Sequence, residues 1–197
     1  MVTLLSWLGR TDLDQMKQDK PASIATIALS GKTLDSIIIL ASTWEDEWHD
    51  YQEWLERKLA YAGRSKTSVT IQRVRLASPI DYSSITRVMQ KQLSEASSNS
   101  EQVYLNLTSG TPAMAVVSVL LGKSIGKCQL LQTSPKGELI EVDIPVDFAT
   151  EYTKSSTSAI QSLTSDIPKL SSAFEAITAK SKTMQLLVKK SSQTRFI

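Results

Sequence analysis

The chain has 197 residues, 41% hydrophobic and 21% charged, a length that supports one buried core with an appendage. Its lone Cys128 and lone His49 exclude a disulfide framework and a zinc set, no apolar run approaches the ~18 residues that span a bilayer, and Met1–Ser6 lacks the basic region of a signal peptide, so a cytoplasmic protein is expected. The formal net charge of +2 is uneven, with 15 Lys/Arg against 17 Asp/Glu over residues 1–150 and 7 against 3 over residues 151–197, and the slightly acidic body argues against a broad face for nucleic-acid backbones while leaving room for a small anion in a local pocket.

In chain order, Thr3–Leu8 is an apolar run of strand length stopped by Gly9, followed by a polar stretch from Gly9 to Lys20 that reads as a long connection. Pro21 suits a first helical position, and Ile24, Ile27 and Ala28 share a helical face before Gly31. Ser36–Ala41 is a β-branched run of the kind buried on both faces of a sheet. Thr43 then caps a predicted helix whose first turn is acidic, with Trp44, Trp48, Tyr51, Leu55 and Leu59 at helical spacing and Gly63 at its end. Val69–Leu76 predicts a strand, Ile85, Val88, Met89 and Leu93 a helical stripe, Val103–Leu107 a strand, and Ala113–Leu121 a small apolar helix. Lys127–Thr133 and Glu138–Ile144 predict two strands joined by a Pro135-Lys136-Gly137 turn. Strands alternating with helices imply an α/β fold with a doubly wound, mostly parallel sheet and a C-terminal β-hairpin. Thr150–Ser165 is rich in Ser and Thr, and Leu170, Phe174, Ile177, Met184, Leu187 and Val188 mark an amphipathic segment, so 151–197 is expected to be a partly helical linker at the start of a further, truncated domain.

In such a sheet ligands bind beyond the C-terminal strand ends where strand order reverses. Two loops meet that description: Gly9-Arg10-Thr11-Asp12 after the first strand and Thr108-Ser109-Gly110-Thr111-Pro112 after the fourth. In the second, Thr111 is a good N-cap and Pro112 a good first helical residue, Gly110 permits close backbone approach, and Thr108, Ser109 and Thr111 supply hydroxyls, a combination that favours an anion. Arg10 is a candidate to neutralise a phosphate or stack on a base, and Asp12 to accept from a ribose or an adenine amine, although a loop carboxylate more often caps its own turn. Thr43 and Thr133 lie beyond the second and fifth strands and complete the candidate ligand-binding set.

Other features read as structural. The helical spacing of Trp44 and Trp48, with Trp54, favours core or interface packing over base stacking, His49 suits a surface position, and Cys128 suits a small core position. No G-x-G-x-x-G follows the first strand and no phosphate-loop motif G-x-x-x-x-G-K-[ST] occurs, which weighs against a dinucleotide oxidoreductase and a nucleotide-hydrolysing loop. No cofactor is expected.

The two loops carry a family resemblance. Leu4–Leu13 resembles the first motif of CRISPR-associated Rossmann-fold (CARF) sensor domains, Leu105–Thr111 their second motif, and Leu130–Pro135 the strand before their hairpin, so the likeness runs in order over residues 1–150. Within the tail, Phe174-Glu175-Ala176-Ile177 followed by Ser181-Lys182-Thr183-Met184 is similar to the entry of the AAA+ domain in sigma-54-dependent activators of the RNA-repair type. The resemblance implies a Rossmann-like ligand-sensing domain in a homodimer. The crevice between protomers would bind a cyclic oligoadenylate or an RNA end bearing a 2′,3′-cyclic phosphate, and absent domains would act on DNA and sigma-54 RNA polymerase, with no membrane partner. Many CARF domains carry a lysine directly after the second-motif threonine, where this chain has Pro112, and that departure disfavours the alternative of a metal-independent ring nuclease. A second alternative is a dimerisation module with a vestigial pocket.

Overall fold

Adjacent leucines in the first strand point to opposite faces of the sheet, and each enters a different core, which sets the layering of the whole domain. The computed structural model describes residues 1–144; the expected linker and truncated domain at 151–197 lie outside the described residues. The strands are β1 (Val2–Trp7), β2 (Ser36–Ala41), β3 (Ser68–Arg73), β4 (Gln102–Asn106), β5 (Cys128–Thr133) and β6 (Leu139–Val142). The helices are α1 (Arg10–Lys17), α2 (Ser23–Leu29), α3 (Trp48–Tyr61), α4 (Tyr82–Asn99) and α5 (Pro112–Lys123).

The sheet runs β3-β2-β1-β4-β5-β6, parallel throughout except for the β5–β6 hairpin. One face buries Leu4, Ile37, Ile39 and Leu131 with Leu13, Ile24, Ile27, Tyr51, Trp54 and Leu55, so α1, α2 and α3 cover it. The other buries Leu5, Trp7, Leu40, Val103, Leu105 and Leu130 with Ile85, Met89, Leu93, Met114 and Val117, so α4 and α5 cover that side. This is the expected doubly wound arrangement, with strand order reversing between β1 and β4.

Two local expectations are corrected. Residues 10–17 form a helix, α1, rather than a connection. Leu13 and the half-buried Met16 are its apolar residues, a one-sided pair too short and too outnumbered by polar residues to stand out as a helical stripe; an Arg10–Asp14 ion pair one turn apart (2.7 Å) and the Asp12 carboxylate at its start also hold it. Thr43 does not cap α3. The chain leaves β2, turns through Trp44 in the left-handed region (φ 63°), makes a single 3₁₀ turn at Glu45–Glu47 and starts α3 at Trp48. The Thr43 carbonyl accepts the Trp48 indole N–H (2.7 Å), and that bond draws the indole back over the turn.

The aromatic residues sort accordingly. Trp54 is buried and donates to Asp19 Oδ1 (2.8 Å), Trp48 is half-buried, and Trp44 is exposed. His49 is exposed beside Glu53 (3.1 Å), and burial pushes the Cys128 thiol up to about 11, which leaves it a protonated packing residue.

Candidate functional site

Parallel strands on either side of the reversal diverge as they leave the sheet, and the loops after β1 and β4 open a cleft of about 660 Å³ there. The cleft is lined by Gly9 and the first turn of α1 (Arg10, Thr11 and Asp12) and by Thr108, Ser109 and Gly110 from the loop after β4, with Thr133 and Ser134 closing it from the end of β5. The structure thus brings together eight of the ten residues singled out in the sequence. Thr43 and Thr111 are not on the lining. Thr43 is occupied at the α3 turn, and the Thr111 hydroxyl caps α5, accepting the Met114 N–H (3.3 Å) and donating to the Pro79 carbonyl (2.7 Å).

Backbone approaches backbone at the centre. A Cβ on Gly9 would lie 3.0 Å from the Gly110 nitrogen and 3.1 Å from an Asp12 carboxylate oxygen. Gly110 has φ +97°, and a Cβ there would meet Met114 Sδ at 2.8 Å and Trp7 Cβ at 3.0 Å. Both glycines are therefore required by geometry, Gly110 by backbone conformation as well.

Beneath the loops lies a buried polar node that sequence reading missed. Asn106, at the end of β4, is 1% exposed and makes four hydrogen bonds. Its amide nitrogen donates to the Ser6 hydroxyl (2.9 Å) and the Ser109 hydroxyl (3.1 Å). Its carbonyl oxygen accepts the Ser23 hydroxyl (3.0 Å) and the Thr108 backbone N–H (3.0 Å). One side chain thus ties β1, α2 and the β4 loop together, and the Thr108 hydroxyl extends the tie to β5 by accepting the Thr133 N–H (2.8 Å). The signal available in sequence was a lone amide inside the apolar run Val103-Tyr104-Leu105-Asn106-Leu107. Ser23, Thr26, Gln15 and Gln132 also line the cleft without having been expected.

Asp12 is buried, its two oxygens accepting the N–H groups of Gly9 (3.1 Å) and Ile24 (3.2 Å). It pins the start of α1 to the start of α2 and shapes the cleft from below. Burial raises its carboxyl above the ordinary 3.8, against the opposing pull of the Ser109 hydroxyl and of the Ile24 and Gly9 amides. In the interval above 3.8 the folded protein therefore holds a proton that the unfolded chain has released, and stability falls as pH rises through that interval. Asp12→Asn removes this titration. Thermal melts across the acid range are expected to show the wild-type advantage over the variant shrinking as pH rises; an advantage that grows or stays constant would mean that Asp12 is not the group responsible.

Arg10 lies on the rim, paired with Asp14 (2.7 Å) and with Glu47 (2.9 Å), and Glu47 also pairs with Lys17 (2.6 Å). These hydrogen bonds, to Asp14 first and then to Glu47, raise the guanidinium above its ordinary value. Apart from the Asp12 carboxyl, whose oxygens are taken up by the Gly9 and Ile24 N–H groups, the floor of the cleft is built of hydroxyls and amides at the beginnings of α1 and α5. It can accept and donate hydrogen bonds along a ribose–phosphate segment without a concentrated positive charge.

No family model matches the chain, and no curated protein matches it in sequence. Solved structures do match. Csm6 of Enterococcus italicus, bound to cyclic hexa-2′-fluoro-hexa-dAMP, superposes with a TM-score of 0.65 at 16% identity over 81% of this chain and 45% of that one. Protein VC1899 of Vibrio cholerae superposes with a TM-score of 0.52 at 12% identity over 72% of this chain and 33% of that one. The chain thus spans less than half the length of either. Among the described residues no helix is long and apolar enough to cross a membrane. With helices on both faces of a mostly parallel six-stranded sheet and its order reversing at the cleft, the chain has a Rossmann-like α/β fold, which it shares with Csm6.

Proposed function

We propose that residues 1–150 are a ligand-sensing regulatory domain whose cleft binds an adenine-bearing phosphodiester, either a cyclic oligoadenylate or an RNA end with a 2′,3′-cyclic phosphate. The observation that carries the reading is the convergence of Gly9–Asp12 and Thr108–Gly110 on one hydroxyl-lined cleft at the strand reversal. Its support from outside the chain is the ligand of Csm6, a cyclic hexanucleotide held by a protein of the same fold. Thr11, Thr108, Ser109 and Thr133 offer hydroxyls to ribose and phosphate oxygens, and Arg10, held by Asp14 and Glu47, stands on the rim.

The unit that binds is proposed to be a homodimer. The support is α5, which is apolar on every side yet leaves Val116 46% and Leu120 56% exposed, one turn apart. A helix apolar all round is usually a buried helix. Ile80, just after the Pro79 carbonyl that receives the Thr111 hydroxyl at the start of α5, is a further exposed apolar residue (69%). A second copy of this chain is the partner that the family resemblance supplies. The wider role, in a sigma-54-dependent activator that reaches polymerase and DNA through other domains, rests on the tail motif from Phe174 to Met184, which lies outside the described residues.

Titration of the protein with cyclic tetra-adenylate, cyclic hexa-adenylate and cyclic-phosphate-ended RNA is expected to raise the melting temperature with one of the three, by about 2.7 kcal/mol of added stability at a hundredfold excess over Kd. Absence of stabilisation by all three would overturn the ligand-sensing reading.

A further inference from the structure

A floor without a cation raises the question of what balances the charge of a ligand with several phosphates. Arg10 is committed to Asp14 and Glu47, and that cluster, with Lys17, already pairs two cations with two carboxylates. The cleft continues, however, into an outer compartment of about 530 Å³ lined by Gln15, Lys20, Pro21, Thr26, Leu29, Pro135, Lys136 and Gly137. The two compartments share Gln15, Pro21, Thr26, Pro135 and Gly137, so they form one continuous depression.

The outer part differs in chemistry. Pro21, Leu29 and Pro135 give it apolar surface, Gln15 and Thr26 give it polar edges, and two lysines line it, Lys20 from the α1–α2 connection and Lys136 from the β5–β6 turn. Neither lysine pairs with a described carboxylate; Lys20 Nζ reaches the Gln18 side-chain oxygen at 3.2 Å. Both grow from fixed turns. Lys20 follows Asp19, which is left-handed (φ 58°) and bound to the Trp54 indole N–H and the Lys58 ammonium, each at 2.8 Å. Lys136 sits in the hairpin turn, its N–H donating to the Ser134 hydroxyl (3.2 Å), with the Gly137 N–H closing on the Ser134 carbonyl (2.9 Å). Rooted stems reduce the ordering cost of binding, and an unpaired ammonium is a ready partner for phosphate.

We infer that this outer compartment is a second nucleotide subsite, which seats a base against Pro21, Leu29 and Pro135 and a phosphate between Lys20 and Lys136. The inference rests on the ligand reading above and narrows it. The ligand carries at least two phosphates: one segment lies on the hydroxyl floor, and the next draws its counter-charge from these lysines.

The test compares Lys20→Ala/Lys136→Ala with Lys66→Ala/Lys127→Ala. The control pair makes the same change in net charge at exposed sites by the N-terminal ends of β3 and β5, away from the cleft. Binding of cyclic tetra-adenylate, cyclic hexa-adenylate and cyclic-phosphate RNA is measured by calorimetry over a range of salt. The cleft variant is expected to bind roughly tenfold more weakly, with a log–log salt slope shallower by roughly 1.4, about 0.7 for each lysine–phosphate pairing removed. The control is expected to match the wild type, and the arm that responds identifies ring or RNA end as the source. Wild-type binding with the same affinity and slope in the cleft variant, or an equal loss in the control, would overturn the subsite and leave the ligand reading standing. No binding of any of the three by the wild type would overturn both.

Discussion

Asn106→Ala is expected to lower the melting temperature by roughly 10 °C, the largest single effect among the polar residues of the cleft. The substitution removes all four hydrogen bonds of a side chain that is 1% exposed. It leaves the Ser23 hydroxyl and the Thr108 N–H without their acceptor and empties part of the space between β1, β4 and α2. Orphaned buried donors and the loss of two further bonds together cost about 3 kcal/mol, and in a domain of this size each kcal/mol shifts the midpoint by roughly 2–4 °C. Ser6→Ala, which removes one of the four partners, is expected to cost about 1 kcal/mol. Because Ser23, Thr108 and Ser109 all line the cleft, Asn106→Ala also loosens the ligand surface. Differential scanning calorimetry of the two variants checks the ranking, and an Asn106→Ala loss no greater than that of Ser6→Ala would show that the node does not organise the floor.

Leu120→Glu is expected to separate the proposed dimer at concentrations where the wild type is associated. A two-fold interface presents the same residue from both subunits, so one substitution places two carboxylates in one apolar contact. An unpaired charge in such a contact costs about 3 kcal/mol or more, which weakens association by at least roughly a hundredfold. Leu120 is 56% exposed in the protomer, so the folded monomer itself tolerates the change. Sedimentation equilibrium reads the effect, with the melting temperature of the monomer as the control for folding. Unchanged association would move the interface away from α5.

Much of this was legible from residues alone, for identifiable reasons. Ser36–Ala41 and Val103–Leu107 are apolar runs that read as strands, and β2 and β4 fall on them. Thr111-Pro112 announces the start of α5, because capping chemistry is local. Alternation of elements implies a doubly wound sheet, and the two cleft loops lie where its order reverses, between β1 and β4. What stayed hidden depends on contacts distant in sequence. Residues 10–17 offer just Leu13 and Met16 as apolar residues among polar ones, and their helix is also fixed by Asp12 reaching Ile24 and by Arg10 reaching Glu47. The spacing of Trp44 and Trp48 promised one continuous helix, whereas the backbone reverses at Trp44 and the indole of Trp48 folds back onto Thr43. Asn106 looked like an ordinary strand residue, and its role exists only once Ser6 and Ser23 arrive from β1 and α2 to join its neighbour Ser109.

The weak apolar anchoring of α1 has a dynamic consequence. Buried contact through Leu13 and partial contact through Met16 are the helix's share of the core, and the rest of its attachment is ionic or by the Asp12 hydrogen bonds. Elements with few buried apolar contacts open locally at free energies well below that of global unfolding. Local opening of this segment would carry Arg10, Thr11 and Asp12 away from the cleft, and a ligand bound as proposed would oppose it. Occupancy would then be written into the protein as quenched motion of one short helix, with the sheet serving as the fixed frame against which that quenching is sensed.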